Sequence, residues 1–156
     1  MNDHLGADVR TLGFLYACFA AGYVLSGVWL GGKAQLRGRG RLVYGGIAVA
    51  GLALFVFGLP VGMVALALAA LINGAALEIS GLAWTNALQS LVPAEKLGRV
   101  ASLDALGSFA LLPVGYGLAG WATESLGAPL VFILGGGLTT LVVLLAYRHR
   151  AVRALD

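Results

Sequence analysis

Stretches without a single charged side chain, each long enough to cross a bilayer, constrain this chain more than any other feature. From Thr11 to Gly32 no Asp, Glu, Lys or Arg occurs, and a second such stretch covers residues 42–77. Crossing roughly 30 Å of hydrocarbon takes about 20 apolar residues at about 1.5 Å each. The second stretch is too long for one crossing. It breaks at Gly58-Leu59-Pro60, because proline lacks the amide hydrogen and glycine favours turns. The resulting spans are 11–32, 42–58 and 61–84, with two more at about 103–123 and 127–147. Backbone groups in lipid must be satisfied without water, which leaves helices or a closed barrel. Continuous apolar runs lack the alternation of barrel strands, so the expected fold is an all-α membrane protein. It is a bundle of five transmembrane helices, with residues 1–10 as an external tail and 148–156 as a cytoplasmic tail.

Composition removes the competing classes. Only 11% of residues are charged and 60% are hydrophobic, whereas soluble domains carry about 25% charged residues. A water-facing surface cannot be covered so sparsely, so the lipid bilayer is the expected partner. A net charge of +3 alone would suit a polyanion, but the charges fall in short clusters between apolar blocks, and no nucleic acid is expected. The two histidines, His4 and His149, lie outside the spans, and Cys18 is isolated. The chain therefore offers no metal-ligand cluster and no serine–histidine pair within the membrane. It also lacks a phosphate-binding loop. The expectation is a protein that is not an enzyme and needs no cofactor.

Lys and Arg tend to stay on the cytoplasmic side, and their positions orient the bundle. Lys33, Arg37, Arg39 and Arg41 follow the first span, and Lys96 and Arg99 separate the third from the fourth. Arg148, Arg150 and Arg153 follow the fifth. In a five-span arrangement all of these share one face, and only Arg10 falls on the other. The carboxyl terminus is thus expected inside and the amino terminus outside. Residues 1–10 have no basic segment of the kind that opens a signal peptide. A tail left outside without such guidance leads to the expectation of at least one preceding helix.

The segment Leu88 to Gly120 carries Gln89, Val92-Pro93, Gly98-Arg99-Val100, Ser102, Pro113, Gly115 and Gly120. In this order and spacing the residues resemble the major facilitator superfamily, and the branch most similar is that of drug, macrolide and siderophore exporters. The basic loop at 27–43 sits where that family has the second copy of its glycine-arginine loop, although the usual acidic residue is absent between Gly27 and Arg41. The resemblance covers nearly the whole chain and implies helices eight to twelve of a twelve-helix transporter. It further implies part of a secondary, proton-coupled efflux system for small molecules, the substrate being undefined. Such a part needs its missing transporter half or self-association. The alternative is a small membrane accessory or structural protein, or a transporter fragment without activity.

Several residues are candidates for that work. Glu78 lies about 9 Å inside the hydrocarbon if Trp84 marks the interface, a depth at which a carboxylate costs several kcal/mol unless paired, hydrated or protonated. It is the expected proton or substrate-cation site, with Asn73 and Thr85 on the same helix as further pathway residues. Gly74 and Gly81 share its face and would line the same cavity. Asp104 either complements a helix N-terminus or pairs with Arg37, Arg39 or Arg41 in one state as a cytoplasmic gate, together with Lys33 and Arg99. Pro113 removes a helical hydrogen bond, and with Gly115, Gly117 and Gly120 it makes a candidate hinge. Gly13, Ala17 and Ala21 repeat every four residues and form an expected packing face on the first helix.

Overall fold

A computed structural model describes residues 9–32 and 38–148. Its helices are α1 (Val9–Gly31), α2 (Arg39–Val56), α3 (Met63–Leu91), α4 (Ala94–Leu126) and α5 (Ala128–Tyr147). Each is long and apolar enough to cross a membrane, and no strand occurs among the described residues. The break expected at Gly58-Leu59-Pro60 is where the chain leaves α2. The helix ends between the third and fourth apolar spans overrun those spans. α3 continues past residue 84 to Leu91, and α4 begins at Ala94 rather than near 103. Only Val92 and Pro93 separate them, so Lys96 and Arg99 stand on the first turns of α4 and not in a loop. Proline is well placed there, because a helix leaves its first amide hydrogens unsatisfied anyway. Glu95 in that first turn suits the helix dipole. Gly127 joins α4 to α5 with φ +83, a backbone conformation that disfavours any side chain.

α1 packs on α3, α3 on α2, and α2 on α5, while α4 touches only α5 and α3. Lipid tails are as apolar as leucine, so no hydrophobic force drives these contacts. Close approach and hydrogen bonds must hold them. The buried face of α3 accordingly reads Leu66, Ala69, Ala70, Gly74, Ala76, Ser80, Ala83 and Ala87. Between α1 and α3, a Cβ on Gly22 would overlap the carbonyl of Leu71, and one on Gly74 that of Phe19. Gly51 and Gly136 make the same close approach between α2 and α5. Polar side chains then bond backbone acceptors of α2. Asn73 Nδ2 donates to the Ala50 carbonyl at 2.9 Å, and Ser80 Oγ to that of Val43 at 3.0 Å. Thr140 Oγ1 approaches the Ala48 carbonyl at 3.4 Å and bonds its own helix at Gly136.

One packing expectation needs correcting. The face made by Gly13, Ala17 and Ala21 is exposed. α1 instead turns Gly22, Ser26 and Leu30 inward, because Gly22 is what admits the α3 backbone. Helix α4 buries no residue at all, with Tyr116 73% and Trp121 69% exposed. It runs as one helix through Pro113, and Gly115, Gly117 and Gly120 have open space around them.

Candidate functional site

The candidate residues divide over three places. Glu78 is half-buried on α3 and interacts with Tyr23 of α1. Gly27 makes room for it, since a Cβ there would stand 3.1 Å from Glu78 Oε1. The carboxyl group thus lies in the α1–α3 seam, with a phenol and a bare stretch of backbone as its neighbours. Gly74 does not line a cavity beside it, because α1 closes against that glycine. Gly81 and Thr85 are exposed.

Asn73 precedes Glu78 by five positions, which turns it about 140° around the helix axis. Its amide reaches the other neighbour, α2, and it borders a cavity between the ends of the helices. Asn73 and Glu78 therefore share a helix but not a chamber.

The candidates for the gate form the third group. Arg39 opens α2 and donates from Nη1 to Ser90 Oγ at the end of α3, which joins those two helix ends. Arg41 and Arg99 are exposed. Asp104 accepts a hydrogen bond from Trp84 Nε1 at 3.1 Å, so in this structure its partner is an indole on α3 in place of an arginine. Lys33 and Arg37 lie outside the described residues. One further polar group is conspicuous, as Asn86 Oδ1 is buried without a hydrogen bond.

Sequence reasoning missed Tyr23 and Gly27, the aromatic cavity near Asn73, and the Trp84–Asp104 pair. Only the spacing of Tyr23 and Gly27, one helical turn apart, hinted that they share a face. Nothing in the chain pointed that face towards Glu78.

A family model described as Major Facilitator Superfamily matches residues 1–155. No curated protein and no solved structure matches the chain.

Proposed function

Since the chain belongs to the Major Facilitator Superfamily, whose members are membrane transporters rather than enzymes, we propose that it forms part of a proton-coupled exporter of small molecules. The observation that carries this reading is the half-buried Glu78 in the α1–α3 seam. Intramembrane carboxylates are expensive and usually mark ion or substrate pathways. Protonated, Glu78 fits a seam lined by Tyr23 and Gly27. Ionised, it demands water or a cation, which favours a conformation that opens the seam. A proton thereby biases the bundle between two arrangements by the charge it removes, which is what coupling requires.

Placement as helices eight to twelve of an efflux transporter rests on the Gln89 to Gly120 pattern. In that arrangement the bundle rocks against an opposing half, supplied by another chain, a second copy or further sequence. Asn73 and Thr85 contribute to the substrate path. Lys33, Arg37, Arg39, Arg41, Arg99 and Asp104 make the cytoplasmic gate, and Pro113 with Gly115, Gly117 and Gly120 the hinge. The protein is a multi-pass component of the inner, plasma membrane with its carboxyl terminus in the cytoplasm.

The test is Glu78→Gln in the assembled transporter reconstituted in vesicles. Transport driven by a proton gradient should fall at least tenfold, while substrate exchange without a gradient persists. Undiminished gradient-driven transport in Glu78→Gln would overturn the coupling role.

A further inference from the structure

At the Gly58–Gly62 end of the bundle, the first three turns of α1 and α3, the start of α5 and the end of α2 line a half-open cavity of about 600 Å³. Small-molecule sites typically measure about 300–1,000 Å³ and combine apolar walls with a few fixed polar groups. Here Tyr16 and Phe19 of α1, Phe57 just past the end of α2 and Phe132 of α5 line the space. The Phe57 and Phe132 rings lie 5.8 Å apart, centre to centre, at 36°, so that α2 and α5 make one continuous aromatic wall. None of the lining residues is charged.

Asn73 also lines the cavity. One hydrogen of its Nδ2 is committed to the Ala50 carbonyl at 2.9 Å, which fixes the amide and leaves Oδ1 as its acceptor. That oxygen can only accept. We propose that this cavity binds a neutral aromatic molecule carrying one N–H or O–H donor, anchored on Asn73 Oδ1 and held between Phe19, Phe57 and Phe132. An ion entering the cavity would lose its hydration without gaining a counter-charge. A lipid acyl chain would leave the amide oxygen unpaired. The proposal deepens the assignment of Asn73 to the substrate path by naming the chemistry of what binds. Binding requires no transport cycle, so its failure would leave the Glu78 coupling test standing, and the reverse holds as well.

N-phenyl-1-naphthylamine is a suitable probe, being neutral, aromatic and equipped with one N–H. Titrated into the full chain in detergent, it should give a saturable rise in fluorescence above that of empty micelles. Asn73→Ala should weaken binding about tenfold, as expected for one hydrogen bond. Leu15→Trp, which fills the cavity from α1, should abolish the saturable part. The N-methylated probe, which has no donor, should bind the unaltered protein about tenfold more weakly and be indifferent to Asn73→Ala. If either variant fails to fold, the comparison of the two probes on the unaltered protein still decides. Equal affinity for both probes, or a signal that only rises linearly as in plain micelles, overturns the proposal.

Discussion

At the scale of single residues, backbone contact separates glycines that look alike in the chain. Gly22 and Gly74 sit where a side chain would collide with a carbonyl on the facing helix, whereas Gly81 and Gly115 face open space. Gly74→Val should therefore destabilise the bundle by at least about 1–3 kcal/mol, the usual cost of overpacking. Gly81→Ala should be neutral or gain up to about 1 kcal/mol from helix propensity. Thermal melts in one detergent would separate the two, and equal effects would refute the close approach of α1 and α3. Asn86 calls for the opposite treatment. Its buried Oδ1 has no partner, and such a group costs about 1–3 kcal/mol. Asn86→Leu should raise the melting temperature in the same detergent, and a lower one would show that the amide has a partner the bundle needs.

At the scale of elements, α2 is the scaffold and α4 the loosely held member. Side chains from α3 and α5 bond carbonyls of α2 at Val43, Ala48 and Ala50. Interhelical hydrogen bonds in membranes average only about 0.6 kcal/mol each. Ser80→Ala should thus cost well under the Gly74→Val penalty, and a loss as large would mean that the bond carries more than packing does. α4 rests on its two short connections and on the Trp84–Asp104 bond. Trp84→Phe keeps the ring but deletes the N–H. Spin labels at positions 88 and 108 should then report a broader or longer distance distribution between α3 and α4, with little change in melting temperature. An unchanged distribution would show that the connections alone set the position of α4.

At the scale of the whole molecule, the distribution of basic residues makes a topological claim. Cysteines introduced at Gly38 and at Pro60, with Cys18 replaced by serine, should react with impermeant reagents from opposite faces of sealed cells. Labelling of both from one face would overturn the five-crossing arrangement. The helix lengths are consistent with it. α4 measures about 50 Å at about 1.5 Å per residue, against roughly 30 Å of hydrocarbon. Its charged first turns, with Glu95, Lys96 and Arg99, can thus stand clear of the lipid.

The number of helices, the break near Pro60 and the all-α class were legible along the chain itself. Each depends on local quantities, namely the length of an apolar run and the punctuation at its ends. Which face of each helix is turned inward was not legible. In lipid both faces of a helix can be apolar, so no polarity contrast marks the inner one, and the stripe of Gly13, Ala17 and Ala21 pointed to a face that the structure leaves exposed, while Gly22, Ser26 and Leu30 turn inward. Only the meeting of backbones at Gly22 and Gly74 set the inner face. The same meeting turned Glu78 towards Tyr23 and left Asn73 in a separate aromatic chamber. Contacts between segments distant in the chain depend on the relative rotation of rods, and rotation is set by packing.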